Sequence, residues 1–205
     1  GFAAGMAAGL LAGTLTAFSR VADVLLTPLK NIIKATPVTS FIVLILLYFS
    51  SNVTPSAVAF LAVLPICWSN VCEGLRQTDK KMTELAHAYA FGRKKTLREI
   101  YFPAVRPYLS AAATTGLGFA WKSCVAAEVI ALSKNSVGRA LYESKLYLET
   151  AELFAWTASV VLISVLFEKL LVHKLFKNKN TEGTAGRRSE SLEHGHASCE
   201  VELQY

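Results

Sequence analysis

Residues Glu84–Pro103 read ELAHAYAFGRKKTLREIYFP, a basic, helix-favouring island set between long apolar runs. From Arg76 to Arg106 there are eight Lys or Arg residues against three acids, Asp79, Glu84 and Glu99. Just before it, Ala35 to Cys72 carries no charged side chain. A membrane crossing takes roughly 20 mostly apolar residues, so that run is too long for one crossing and long enough for two. A basic loop between crossings is held on the cytoplasmic face during insertion. The chain therefore reads as an all-α membrane protein, with Glu84–Pro103 on the cytoplasmic side.

The island has its own pattern. Leu85, Ala88, Tyr89 and Gly92 recur at helical spacing, which predicts one apolar face. Gly92 weakens that helix, Arg93–Tyr101 favours helix again, and Pro103 stops it. The expectation is a short helix, a break, and a second helix feeding the next crossing.

Here the sequence resembles the permease subunits of binding-protein-dependent ABC importers. Their cytoplasmic signature is Glu-Ala-Ala, three residues, Gly, nine residues, Ile-x-Leu-Pro. Glu84, Ala86, Ile100 and Pro103 match in register, whereas Leu85, Ala90 and Phe102 depart, and Gly92 falls two places late. Two later stretches, Trp121–Ile130 (WKSCVAAEVI) and Leu153–Leu170 (LFAWTASVVLISVLFEKL), look like the nitrate, sulfonate, taurine and thiamine-precursor group of that family. The resemblance covers about Gly1 to Phe176.

The resemblance implies a type I importer permease, methionine-importer-like, with about five transmembrane helices. It implies that the chain forms the path of a small anionic solute (sulfonate, nitrate or taurine type) or of a thiamine precursor. It makes Glu84–Gly92 a coupling helix seated in a separate ATPase subunit, with Glu84, Leu85, Ala86, Tyr89, Ala90 and Gly92 as contact residues. The other implied partners are an extracytoplasmic solute-binding protein, a second copy of this chain and membrane lipid. The implied place is the bacterial inner membrane, multi-pass.

Hydropathy and charge put the crossings near residues 2–19, 37–50, 55–72, 107–131 and 152–171, with the coupling loop at 76–106. Arg20–Lys34 reads as a cytoplasmic connector with an amphipathic helical piece. The uncharged Ser50–Pro55 turn and the charge-balanced Ser133–Glu152 stretch fall outside. Ser133–Glu152 either borders a docking surface for the binding protein or is a solvated connector. The lysines after Phe167 fall inside, and 177–205 reads as a polar, disordered cytoplasmic tail. The chain opens on Gly1 within an apolar run and reads as a fragment.

Within the crossings, Gly1, Gly5, Gly9 and Gly13 form a stripe of small residues. Such a stripe either lets another backbone approach closely or reflects the general composition of membrane helices. Pro65 interrupts the third crossing. Lys122 and Glu128 lie at membrane depth, where ionisable groups face a cavity or a partner. Lys122 either lines the path and favours anions or snorkels to the surface. Six positions apart, the two do not pair directly.

Other chemistry finds no support. GxxxxGK[ST] is absent, so ATP hydrolysis belongs to a partner. HExxH and GxSxG are absent too, which leaves no enzyme signature. Neither a cofactor nor a metal is expected: His194, His196 and Cys199 sit in the tail, and the other cysteines are apolar filler. The net charge of +6 reports topology, so no nucleic-acid partner is expected. The alternative reading is a non-transport membrane scaffold or assembly protein.

Overall fold

The computed structural model describes residues 1–79, 82, 84, 86, 89 and 91–176. In chain order these form α1 (Phe2–Phe18), α2 (Arg20–Ala35), α3 (Val38–Tyr48) and α4 (Thr54–Arg76). A single turn, α5 (Arg93–Thr96), runs into a π-helical turn, Leu97–Tyr101, and on into α6 (Phe102–Ala131), α7 (Val137–Leu146) and α8 (Thr150–Phe176). No strand occurs among the described residues. Residues Gly1–Glu168 form one compact unit; the second, Lys169–Tyr205, is described only as far as Phe176, as helix.

The centre of the first unit is α4, with α1 on one flank and α6 on another. The glycine stripe of α1 is buried directly on α4. A Cβ on Gly5 would lie 2.9 Å from Phe60 O, and one on Gly9 2.6 Å from Cys67 Cβ. At Gly13 it would lie 2.9 Å from Trp68 O. The stripe is thus a close-approach seam between two helices of one chain. The Trp68 indole N–H donates to Thr16 Oγ1 at 3.0 Å within the same seam.

Register along the seam shows that α1 and α4 are parallel, since Gly5 meets Phe60 and Gly13 meets Trp68. A parallel pair cannot be joined by a tight hairpin, so the chain must travel back between them. It does so through α2 and α3. α2 runs antiparallel to α4: Asp23 pairs with Arg76 at 2.6 Å, and Lys30 Nζ sits 5.8 Å from the Trp68 ring. At the bend of 100° the chain turns into α3. There Ile42 is buried with Val58 of α4 and Ala127 of α6.

The Arg20–Lys34 segment, expected as a connector with an amphipathic helical piece, is α2, and it lies along α4. Asp23, Thr27 and Lys30, at helical spacing, belong to the polar face that meets α4. The opposite stripe, Val21, Val24, Leu25, Leu29 and Ile32, is 49–70% exposed. Polar inside and apolar outside inverts the soluble pattern and suits a helix surrounded by lipid.

α6 packs antiparallel to α4, with Val105 and Ala112 against Cys67 and Val71 near one end and Ala127 against Val58 near the other. The turns at the latter end are tied together: Ser133 Oγ donates to Ser51 O at 2.6 Å, and the Lys134 N–H to Asn52 Oδ1 at 3.2 Å. At the opposite end Tyr108 bonds Gln77, and the Tyr101 ring meets Phe18 edge-on at 5.4 Å. The two uncharged or balanced turns thus share one end of the bundle, and the basic segment lies at the other.

On length and apolarity alone, α4 and Thr150–Leu170 of α8 can each cross a membrane, and a third crossing follows if bent α2 and α3 count as one. Of the other expected crossings, α1 has 17 residues, just short, and α3 alone has 11. α6 has 30 residues, but its many Ala, Gly, Ser and Thr lower its hydropathy. None of the best apolar window of α8 is buried.

Candidate functional site

Two places draw the sequence-predicted residues together. The first is the segment between α4 and α6. Met82, Glu84 and Ala86 are helical, and Tyr89 lies in a turn. Ala86 is 3% exposed, whereas Tyr89 is 71% exposed. Glu84 is also exposed. Leu85 and Ala90 lie outside the described residues.

The break falls at Phe91 and Gly92, where helix stops and α5 begins. The Phe91 N–H donates to Ala86 O at 2.9 Å, closing the first piece. Gly92 O then accepts from the N–H groups of Lys95 and Thr96, opening the next. A Cβ on Gly92 would meet nothing within 4 Å, so this position faces open space. Tyr89 and Phe91 stand with ring centroids 6.5 Å apart, and Lys95 Nζ caps Phe91 at 4.2 Å. The result is an exposed aromatic and basic knob. It is carried by α4 on one side and, through the π-turn, by α6 on the other. A load on the knob reaches both helices through covalent backbone.

The second place is a cleft of about 270 Å³ where α2 gives way to α3, facing α4 and α6. Lys34, Thr36, Phe41, Pro65, Thr115 and Phe119 are among its lining residues. Lys122 is exposed and lies on the α6 face of Thr115 and Phe119, at i+7 and i+3 from them. Glu128 is placed differently. Its Oε2 accepts the Gly138 N–H at 3.0 Å, near the start of α7. A Cβ on Gly138 would lie 2.4 Å from Glu128 Cβ, so α7 is held tightly to α6 there. Lys122 and Glu128 are not brought together.

Lys34, Thr36 and Thr115 went unnoticed in the sequence. The available signal was a pair of prolines in one charge-free run, Pro37 at the α2–α3 break and Pro65 opposite it. Among the described residues no group of His, Cys, Asp or Glu could hold a metal ion.

An all-helical bundle among the described residues, with a lipid-suited exterior, a mostly apolar cleft and a protruding basic knob, defines a membrane protein. Residues 5–173 match the family described as binding-protein-dependent transport system inner membrane component, and the chain belongs to that family. It is an ABC transporter permease subunit of the membrane, with the type I importer permease fold. Relatives agree with this. A Bacillus subtilis protein provisionally named as an aliphatic sulfonates transport permease, SsuC, is 27% identical over 186 residues, covering 88% of this chain and 67% of its own. A Brucella melitensis protein, provisionally named an ABC transporter permease, is 24% identical over 172 residues, covering 83% of this chain and 70% of its own. The riboflavin transport system permease protein RibX of Chloroflexus aurantiacus is 27% identical over 155 residues, covering 72% of this chain and 58% of its own.

Proposed function

We propose that this chain forms the solute path of an importer and that its knob at Glu84–Gly92 seats in a separate ATPase subunit. The observation that carries the reading is the exposed Tyr89 on a segment anchored by buried Ala86 and hung between α4 and α6. Such a strut transmits closure of an ATPase to buried helices. Glu84 supplies a charged anchor, and Tyr89, with Leu85, an apolar one.

The chain crosses the membrane five times in this reading, as α1, the broken pair α2–α3, α4, α6 and α8. Parallel packing of α1 on α4 supports a return crossing by α2 and α3. The basic knob then faces the cytoplasm together with the end of α8, as the positive-inside rule requires. A second copy of the chain completes the path, with α8 and the exposed stripe of α2 set in lipid. An external binding protein delivers the solute to the face carrying α7. The solute is a small anion of the sulfonate, nitrate or taurine type, a choice supported by Lys122 on the cleft-bearing face of α6 and by the name of the Bacillus relative. RibX, named for riboflavin, keeps a neutral heterocycle such as a thiamine precursor as the competing solute.

The test is co-purification with the companion ATPase subunit, followed by ATPase activity in the presence of the binding protein. Glu84→Ala and Tyr89→Ala are expected to weaken the complex while the permease stays folded. An undiminished complex and full ATPase stimulation in both variants would remove the coupling assignment. A chain that never recruits an ATPase would be a scaffold instead.

A further inference from the structure

We infer that the cleft at the α2–α3 break is a subsite for a small organic anion, with Lys34 as its charge partner and Thr36 and Thr115 as hydroxyl contacts. This rests on the permease reading above and adds the site and the chemistry of its occupant.

The cleft lies where backbone regularity fails. α2 ends at Ala35, α3 starts at Val38, and the two are bent by 100°. Opposite, Pro65 interrupts the hydrogen-bond ladder of α4. Irregular backbone at membrane depth is tolerated where it is buried in protein or lines a wet cavity, and broken helices mark solute sites in other transporters. The register of α2 on α4 sets this break level with Pro65, with Lys34, Ala35 and Pro37 exposed there. Asp23 is level with Arg76, Lys30 with Trp68, and the cleft with Pro65. From Arg76 to Pro65 is about 16 Å of helix, roughly half a hydrocarbon core.

Among the described residues, Lys34 is the only ionisable one lining the cleft. Among the described residues, no carboxylate on the surrounding helices is paired with it. Asp23 is held by Arg76 and Thr27 at the far end of α2. α3 has no acid, the Glu73 carboxylate accepts from Gln77 at 2.6 Å near the end of α4, and Glu128 holds Gly138. Lys34 is exposed at the cleft and stands one turn from Lys30, so two like charges there call for a counter-charge. A solute anion supplies it. The walls select the rest of the molecule. Phe41 and Phe119 offer apolar surface, and about 270 Å³ lies just below the usual range of roughly 300–1,000 Å³ for ligand pockets. That favours a sulfonate or carboxylate head on a compact apolar body. Lys122, one turn beyond Phe119 on the same face, provides the next cationic step along the route.

The experiment uses the full complex of permease, ATPase subunit and binding protein in proteoliposomes, with butane-1-sulfonate as probe and butan-1-ol as its neutral counterpart. Equilibrium binding is measured on the permease–ATPase complex before the binding protein, itself a solute binder, is added, and ATPase stimulation after its addition. Wild type is expected to bind the sulfonate and ignore the alcohol. Lys34→Gln should weaken sulfonate binding by about tenfold, the scale of one charge-assisted hydrogen bond, and Lys34→Arg should restore most of it. Phe119→Trp, which fills the cleft from another helix, should also weaken binding. ATPase stimulation by the binding protein is read in the wild-type complex and reports its assembly. Undiminished sulfonate binding in Lys34→Gln, equal binding of the alcohol, or no sulfonate binding by an active wild-type complex would each overturn the subsite and leave the permease reading intact. A wild-type complex without assembly or stimulation would instead strike at the permease reading. If Lys34→Gln fails to fold, Phe119→Trp decides: unchanged binding overturns the subsite.

Discussion

Asp23 Oδ2 and Arg76 Nη2 lie 2.6 Å apart, which fastens the first turn of α2 to the last turn of α4. The Thr27 hydroxyl donates to the other carboxylate oxygen at 2.9 Å and fixes the rotamer. Both charged side chains keep contact with solvent, at 49% for Arg76 and 32% for Asp23. The pair is therefore a positioning device with modest energy. A double-mutant cycle with Asp23→Ala and Arg76→Ala, followed by thermal unfolding in detergent, should give a small favourable coupling. Strict additivity would mean that the two residues do not restrain each other in solution.

The glycine seam makes a sharper prediction. A methyl group at Gly9 has no room, with Cys67 Cβ at 2.6 Å and Leu64 O at 2.8 Å. A Cβ at Gly118 of α6 meets nothing within 4 Å. Gly9→Ala should cost about 1–3 kcal/mol by overpacking. Gly118→Ala should be neutral or slightly stabilising through helix propensity. Equal melting temperatures for the two variants would contradict parallel packing of α1 on α4.

Thr16 and Trp68 are each 2% exposed and share one hydrogen bond. Thr16→Val keeps the shape and removes the acceptor, leaving a buried indole N–H unpaired. The expected loss is about 1–3 kcal/mol of stability. Thr16→Ser should recover most of it. The readout is unfolding followed by tryptophan emission, and a Thr16→Val protein as stable as wild type would refute the contact.

Lys122 and Glu128 should separate by phenotype. Glu128 holds the start of α7, so Glu128→Ala should destabilise the protein by about 1–3 kcal/mol, the cost of leaving a buried or half-buried donor unmet. Lys122 is exposed with no partner among the described residues, so Lys122→Gln should leave stability within about 0.5 kcal/mol of wild type. Lys122→Gln should instead slow uptake of an anionic solute. Loss of stability in Lys122→Gln with unchanged uptake would reverse the two roles.

Much of this arrangement is legible in the sequence, and the misses have physical causes. Gly5, Gly9 and Gly13 suggest close packing, but the general composition of membrane helices accounts for the same stripe, and only their contacts with α4 decide for the seam. Gly92 marks the break because it alone in that segment lacks a side chain. The run from Arg20 to Lys34 is harder. Its charges resemble a solvated connector, yet Asp23 and Lys30 belong to a polar face turned toward α4, and only the parallel course of α1 reveals that a return path is needed. Lys34 was hidden by its position: a cation at the edge of an apolar run reads as a topology marker. Glu128 was grouped with Lys122 by depth alone, because its real partner, Gly138, is supplied only when the chain turns back after Leu132. The π-turn at Leu97–Tyr101 has no counterpart in hydrophobic spacing and could not be read.

The parallel course of α1 and α4 also bears on biosynthesis. Thr16 and Trp68, joined in the seam, are 52 residues apart in the chain. As the polypeptide leaves the ribosome, glycine-notched α1 has no mate until α4 has been delivered. Locking of this seam is therefore a late step of assembly, set by the order of synthesis and not by the proximity of neighbours along the chain.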